Sequence, residues 1–219
     1  MERITRVAAL IPAAGEGLRL GRGPKAFVTV AGETLLSRAV QAFAGAVDEV
    51  LVAVSPGMMG GLEPPPGVRF IVGADTRQGS VYNLLRETDA DIVLIHDAAR
   101  PFLSRHVIDE VITAVETYSA ASVVTAVADT LIKADTGRQL ERSTLRAVQT
   151  PQGFSRELIS RAHEHALRSG CAATDDAGLV RALGHQVALV EGSSWLMKVT
   201  TAADLELAEA LASVWDSKC

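Results

Sequence analysis

Hydrophobic and polar positions follow two alternating patterns along the chain. Short continuous apolar runs are typical of buried strands, and the segments between them repeat apolar residues with the spacing of an amphipathic helix. The predicted strands are 7–11, 50–54, 70–72, 92–95, 123–127, 187–190 and 197–199. The predicted helices are 35–43, 80–87, 105–115, 155–168, 175–183 and 201–214. Thr34 and Ser104 stand where a helix N-cap is expected.

This strand–helix alternation predicts an α/β fold that is Rossmann-like. Right-handed crossovers would produce a mostly parallel sheet with helices on both faces. The 219 residues are enough for one sizeable domain, and no linker or repeat divides them, so a single domain over 1–219 is predicted. Ligands of such sheets bind beyond the carboxyl ends of the strands.

The segment 128–148 interrupts the alternation. It is polar and β-prone, and Asp135, Thr136 and Gly137 form a turn signal. These features predict a protruding β-hairpin arm. An isolated hairpin with so little apolar surface is not stable by itself. The arm is therefore expected to pack on something else, such as another subunit.

Composition narrows the classes of function. The formal net charge is −5 and only 4% of the residues are aromatic, which argues against nucleic acid as a partner. Cys171 and Cys219 have no metal-ligand spacing, so a disulfide framework or zinc site is not expected. The sequence has neither a membrane-length apolar run nor a signal-peptide pattern. We expect a soluble cytoplasmic protein without a membrane partner.

A glycine-rich, cationic loop follows the first predicted strand. Glycines allow close approach of a ligand to the backbone, and free amides with nearby cations favour a polyphosphate. The residues are Gly15, Gly17, Arg19, Gly21, Arg22, Gly23 and Lys25. Their spacing fits neither the G-x-G-x-x-G dinucleotide fingerprint nor the G-K-[ST] loop of NTPases. An NAD-dependent oxidoreductase is therefore disfavoured, and a solvated basic surface loop is the alternative.

Several short motifs together resemble the 2-C-methyl-D-erythritol 4-phosphate cytidylyltransferase family, and their order and spacing match it from end to end. They are P-A-A-G-x-G-x-R at 12–19, P-K at 24–25, S-P-G at 55–57, S-V at 80–81, H-D-A-A-R-P at 96–101, D-T at 129–130, Q-T-P-Q at 149–152, T-D at 174–175, V-E-G at 190–192 and K-V-T at 198–200.

The resemblance implies a chemistry that needs no general base. In the family, the phosphate of a sugar alcohol attacks the α-phosphorus of CTP and expels pyrophosphate. A phosphate monoester has a second pKa of about 6, so it is largely a dianion at neutral pH. Catalysis must then come from positioning and from cations aimed at the charge of the transition state. By resemblance, Arg19 and Lys25 have that role.

The resemblance also assigns binding residues. For the nucleotide it implies Ala13, Ala14, Gly15, Gly73, Asp75, Ser80 and Ala98. For the acceptor it implies Asp97, Arg100, Thr130, Arg142, Thr150, Thr174 and Lys198, of which Arg142 and Lys198 hold the attacking phosphate. Mg²⁺ is implied by the triphosphate, with its protein ligands left open. The arm would deliver Thr130 and Arg142 to the neighbouring site of a homodimer.

Some positions keep a second interpretation. Asp97 could instead cap a turn, Arg100 could form a structural ion pair, and His96 is expected to be a packed spacer. Ala74 replaces a glycine of the family. The open alternatives for the whole chain are a ribitol-5-phosphate cytidylyltransferase and a nucleotide-binding module without turnover. The second would be expected to lack Arg19, Lys25 or Lys198, all of which are present.

Overall fold

A seven-stranded sheet forms the centre of the computed structural model, which describes residues 4–15 and 23–217. A separate two-stranded antiparallel ribbon lies outside it. The strands are β1 (Val7–Pro12), β2 (Thr29–Val30), β3 (Glu33–Thr34), β4 (Glu49–Val54), β5 (Val68–Val72), β6 (Ile92–Ile95), β7 (Ala120–Ala126), β8 (Arg146–Ser155) and β9 (Ala188–Glu191).

The order of the central sheet is β5-β4-β1-β6-β8-β7-β9. β1 lies between β4 and β6 and is parallel to both, with Ala9 opposite Val50 on one side and Leu94 on the other. The chain moves outward from β1 to β4 and β5, then returns to β6 on the opposite side of β1. This reversal creates a topological switch point, where the crevice of an α/β sheet binds its ligands. The predicted fold class is confirmed.

β8 is the strand of the central sheet that the sequence analysis missed, as it also missed the short strands β2 and β3. β8 runs antiparallel to both β6 and β7, and its pairing with β7 shifts register between Ser122 and Val124. Pro151 lies in the unpaired stretch of that irregularity, where proline is tolerated in a sheet. The sequence analysis predicts no strand here, and proline and glycine, which stand at 151 and 153, are both unfavourable inside a strand. Phe154 is fully buried in the hydrophobic core that also contains Ala8 and Leu10, and this burial outweighs the local preference.

Six α-helices flank the sheet in the described residues. They are α1 (Leu35–Ala42), α2 (Arg77–Arg86), α3 (Arg105–Tyr118), α4 (Arg156–Ser169), α5 (Asp176–Ala182) and α6 (Ala202–Asp216). The predicted caps are confirmed, since Thr34 accepts a hydrogen bond from Ser37 N and Ser104 from Val107 N. No helix in the described ranges combines the length and apolarity needed to cross a bilayer.

Alternate residues of β1 face opposite sides of the sheet and belong to separate cores. Ala9 and Ile11 pack in the core that includes residues of α1 and α3, whereas Ala8 and Leu10 pack in the core that includes residues of α2 and α4. A third core joins β2 and α1 to α6 through residues such as Val30, Leu35 and Leu205. Helices therefore cover both faces, and the loops at the carboxyl edge are held from several directions.

The predicted arm has less regular structure than expected. Its hairpin is reduced to one antiparallel bridge between Ile132 and Gln139, and a short 3₁₀ helix follows at Arg142–Thr144. Ile132 is 61% exposed and residues 131–139 are all exposed, so the described chain leaves this segment largely uncovered. The strand predicted at 197–199 is also wrong. A 3₁₀ turn at Ser194–Leu196 precedes an irregular stretch, anchored by the Val199 amide on the carbonyl of Ala99, 2.9 Å away.

Candidate active site

A cleft of about 850 Å³ opens at the carboxyl ends of β1 and β6, at the switch point of the sheet. The loops that follow β1, β4, β5 and β6 form its walls. Most of the predicted nucleotide-binding residues line it, as do Lys25, predicted to stabilise the transition state, and Lys198, predicted to hold the attacking phosphate. The residues in question are Ala13, Ala14, Gly15, Lys25, Asp75, Ser80, Ala98 and Lys198.

The loop after β5 is shaped by Ser80, which is almost fully buried. Its hydroxyl accepts a hydrogen bond from Ala74 N at 3.0 Å and lies 3.1 Å from the carbonyl oxygen of the same residue. Gly73 lies behind Ala14, because a Cβ added at Gly73 would stand 2.4 Å from the Cβ of Ala14. Gly73 therefore permits the close approach of two cleft-forming loops rather than lining the cleft itself. The amide of Ala74 is engaged by Ser80, although Ala74 lines the cleft.

A second cavity of about 400 Å³ adjoins the cleft. Five of the predicted acceptor-binding residues line it, namely Asp97, Arg100, Thr150, Thr174 and Lys198. Two buried polar atoms of its lining residues, Arg100 Nε and Gln149 Oε1, have no hydrogen-bond partner among the described residues. Buried polar groups are normally paired, so atoms of this kind point to a polar ligand or to water.

The two cavities share Arg77, Asp97 and Lys198, which form one ionic cluster. Arg77 Nε donates to Asp97 Oδ1 at 3.0 Å, and Lys198 Nζ donates to Asp97 Oδ2 at 2.5 Å. Burial by itself would raise the pKa of Asp97, but the charges of Arg77 and Lys198 outweigh it and hold that pKa well below its usual range. Asp97 is therefore an anion on the wall between the cavities.

Arg100 does not pair with Asp97, although the sequence placed them in one motif. Its guanidinium donates to the carbonyl oxygens of Leu196 and Val148, the latter at 3.4 Å. Burial lowers the pKa of Arg100, and the charge of Asp97 offsets this only in part. The interpretation of Arg100 as one half of a structural ion pair with a carboxylate thus has no support in the described residues.

Behind Asp97 lies a fully buried histidine. His96 Nε2 is 3.1 Å from the carbonyl oxygen of Arg100, which can only accept, so Nε2 carries the proton. Nδ1 then accepts from the hydroxyl of Thr150, also at 3.1 Å. That hydroxyl in turn accepts from the amide of Asp97 at 3.1 Å. Burial lowers the pKa of His96 to about 4, and the ring is a neutral spacer that fixes Thr150 and Asp97.

Both predicted site residues of the arm lie away from the two cavities. Thr130 and Arg142 are exposed in the arm and line neither cavity, and Arg142 donates to the carbonyl oxygen of Ala128 at 2.6 Å. Arg19 lies outside the described residues.

Sequence reasoning missed Arg77 and Arg181, which bring further cations to the cavities. Arg77 occupies the first turn of α2, three residues before Ser80 of the S-V motif. Its closeness to that motif was the signal available in the sequence. Arg181 lies on α5 and resembles an ordinary solvated helix residue in the sequence.

No group of three or more His, Cys, Asp or Glu side chains that could hold a metal ion occurs in the part of the chain that the structure describes. Within residues 4–15 and 23–217, the carboxylates lining the larger cleft are Asp75 and Asp97. Mg²⁺ commonly takes one or two carboxylates and completes its coordination with substrate phosphates and water. This donor set fits an ion held mainly by the nucleotide's phosphates.

The fold and the site together define a class. A doubly wound α/β sheet carries, at its switch point, a cleft with cationic side chains and an adjoining polar cavity, as a nucleotide-dependent transferase requires. The family described as IspD, 2-C-methyl-D-erythritol 4-phosphate cytidylyltransferase, matches residues 7–213, and the chain belongs to that family.

Named relatives agree with this assignment. The chain is 56% identical over 211 residues to the 2-C-methyl-D-erythritol 4-phosphate cytidylyltransferase of Deinococcus radiodurans, covering 94% of this chain and 89% of the relative. It is 50% identical to that of Thermus thermophilus, covering 96% and 99% of the two chains. A crystal structure of the Thermus thermophilus enzyme matches with a TM-score of 0.85 at 47% identity, over 95% of this chain and 100% of that one.

Proposed function

We propose that this chain transfers CMP from CTP to 2-C-methyl-D-erythritol 4-phosphate and releases pyrophosphate. Family membership supports the reaction, and one observation in the structure carries its geometry. A nucleotide-sized cleft and a smaller polar cavity meet at Asp97 and Lys198, so the two substrates can be bound side by side.

The chemistry follows from the charges at that junction. A phosphate oxygen of the acceptor attacks the α-phosphorus of CTP, and the bond from that phosphorus to the bridging oxygen of pyrophosphate breaks. No proton must be removed, because the acceptor phosphate is already largely a dianion. Lys198 would hold the attacking phosphate, and Lys25 and Arg19 would stabilise the charge that grows on the phosphates. Asp75 and Asp97 would help to hold Mg²⁺ together with the nucleotide, and the ion would supply positive charge that offsets part of the triphosphate charge.

We also propose that the active site is completed by a second copy of the chain. Thr130 and Arg142 lie on the exposed arm and do not reach the cavities of their own chain. An uncovered segment that bears residues assigned to the acceptor site is what a reciprocal homodimer would use, because its two subunits meet through the same surface.

Pyrophosphate release tests the proposal directly. The purified protein is assayed with CTP, UTP and ATP, each against 2-C-methyl-D-erythritol 4-phosphate and ribitol 5-phosphate, with and without Mg²⁺. CTP with the methylerythritol phosphate should be the preferred pair, because a site built on hydrogen bonds rejects analogues that leave its groups unpaired. Preference for ribitol 5-phosphate would assign the alternative acceptor. Absence of turnover with every pair, despite CTP binding, would indicate a nucleotide-binding module.

A further inference from the structure

Arg77 occupies an unusual position between the two cavities. It begins α2, lines both cavities and bridges two carboxylates with one guanidinium. Its Nε donates to Asp97 Oδ1 at 3.0 Å and its NH1 donates to Asp176 Oδ2 at 2.7 Å. The Asp176 side chain is 1% exposed and that of Asp97 is 12% exposed. Arg77 is therefore held at both ends by buried anions.

Asp176, the second carboxylate bound by Arg77, is itself held by further hydrogen bonds. Asp176 Oδ1 contacts His163 Nε2 at 3.2 Å, and the amide of Asp176 donates to Gln152 Oε1 at 3.0 Å. His163 is itself buried and stacks on Tyr82, with 6.2 Å between the ring centroids. Burial alone would raise the pKa of Asp176, but the hydrogen bond from His163 and the charge of Arg77 keep it low. Asp176 thus anchors Arg77 from outside both cavities.

Lys198 is the more exposed of the two cations on Asp97, and unlike Arg77 it has no second carboxylate partner among the described residues. Its side chain is 39% exposed, compared with 31% for Arg77, and its ammonium stands on a flexible four-carbon stem. An acceptor phosphate that binds Lys198 must compete with Asp97 for the same ammonium, and the carboxylate also repels the incoming dianion. A second cation that stays on Asp97 reduces both penalties.

We propose that Arg77 is a positioning residue that acts as the fixed counter-ion of Asp97, so that Lys198 can turn from Asp97 to the phosphate of the acceptor. The inference rests on the proposed function, because it assumes an acceptor phosphate in the smaller cavity. Arg77 itself need not touch either substrate. Its loss would remove one of the two cations that form salt bridges with Asp97, and the carboxylate would then retain Lys198 more strongly.

Steady-state kinetics of Arg77→Gln test the proposal, with Arg86→Gln as the matched control. Arg86 lies at the opposite end of the same helix and is exposed, so it controls for loss of an arginine from α2. Arg77→Gln should lower kcat/KM for the acceptor by about 10²-fold, as misplacement of a reacting group does. KM for CTP should change by less than about threefold, because the proposal gives Arg77 no part in binding the nucleotide. Arg77→Lys, which keeps the charge, should recover at least about a tenth of the wild-type kcat/KM.

Other outcomes overturn the proposal. Unchanged acceptor kinetics in folded Arg77→Gln would show that Asp97 needs no fixed counter-ion. A KM for CTP that rises as much as that for the acceptor would make Arg77 a nucleotide ligand, and an Arg77→Lys variant as impaired as Arg77→Gln would exclude a charge effect. An inactive wild-type protein would instead refute the proposed function, so the two failures are distinguishable.

Folding is the remaining control. If Arg77→Gln does not fold, the double variants Arg77→Gln/Asp97→Asn and Arg77→Gln/Asp176→Asn are compared by circular dichroism. Recovery of folding with Asp97→Asn supports the assignment of Arg77 to Asp97, because it removes the carboxylate that has lost one of its two cations. Recovery only with Asp176→Asn, or with neither, overturns it.

Discussion

Lys25 faces the larger cleft from the start of a short 3₁₀ helix, and Arg19 precedes it in the glycine-rich loop. Lys25→Ala and Arg19→Ala are each expected to lower kcat by about 10²–10³-fold, the usual result of removing one group that stabilises transition-state charge. Thermal unfolding should stay close to wild type, since neither change removes an apolar core residue. Near-normal kcat in a folded Lys25→Ala variant would show that this lysine is a bystander.

His96 gives a prediction for stability against pH. Burial lowers its pKa from 6.5 to about 4, so the unfolded chain takes up this proton at a higher pH than the folded protein does. Its contribution therefore makes stability fall as the pH drops from 6.5 to about 4, after which the contribution is constant. At about 1.4 kcal/mol per pH unit, the loss is on the order of 3 kcal/mol.

Urea unfolding at several pH values measures this contribution. His96→Asn should be less stable than wild type at neutral pH, because it disturbs the contacts to Thr150 and Arg100. Its stability should nevertheless vary less between pH 6.5 and 4. An identical slope in wild type and variant would mean that His96 does not supply the pH dependence. The low pKa of Asp97 concerns a separate window, below the ordinary pKa of an aspartate, 3.8.

Among the secondary-structure elements, α6 also begins close to the site. Thr200 lines the larger cleft, and Thr201 caps α6 in a capping box with Asp204. Asp204 Oδ2 accepts from the amides of Thr200 and Thr201, both at 2.8 Å. The hydrogen bond from the Thr200 hydroxyl is the main reason that the pKa of Asp204 is lowered to about 2. The cap therefore joins the residues that follow Lys198 to α6, which packs in the third core.

Thr201→Ala is expected to lower the free energy of unfolding by about 1 kcal/mol, the typical effect of losing an N-cap side chain. Chemical denaturation measures it. Thr113→Ala is the control, because Thr113 is exposed within α3 and its hydroxyl only returns to the carbonyl of Asp109. That variant should stay within about 0.5 kcal/mol of wild type. Equal stability of the two variants would show that the capping box does not hold α6.

For the whole molecule, the proposed exchange of arms can be tested by complementation. Lys25→Ala and Arg142→Ala should each retain little activity alone. In a mixed dimer, one site would combine an intact Lys25 with an intact Arg142 from the other chain. Random exchange makes about half the dimers mixed, so about a quarter of all sites should regain activity in a symmetric dimer.

The matched control mixes Lys25→Ala with Lys198→Ala. Both lysines line the same cleft of one chain, so no mixed dimer contains a site with both intact, and activity should not return. Recovery in this control would show that some other effect of mixing restores activity. No recovery in the Lys25→Ala and Arg142→Ala mixture, with subunit exchange confirmed, would show that the arm serves its own chain.

Local patterns in the sequence were enough to predict most of the secondary structure and the loop that brings Lys25 to the larger cleft. Apolar runs and helical spacing indicated the order of elements, since both depend on residues close together in the chain. The caps Thr34 and Ser104 and the cleft-lining Lys25 were likewise recognisable from their neighbours. The position of the glycine-rich loop after the first predicted strand was enough to predict that it lies at the ligand-binding edge of the sheet.

Only the tertiary structure decided which side chains pair. Arg77 and Asp176 are 99 residues apart, and Lys198 and Asp97 are 101 residues apart, so no local spacing could connect them. Packing also decided that Pro151 would lie in a strand between β6 and β7, against its local preference. The physical reason is the same in each case: burial makes an unpaired charge or an uncovered apolar side chain costly, and the partner that relieves it is chosen by the fold.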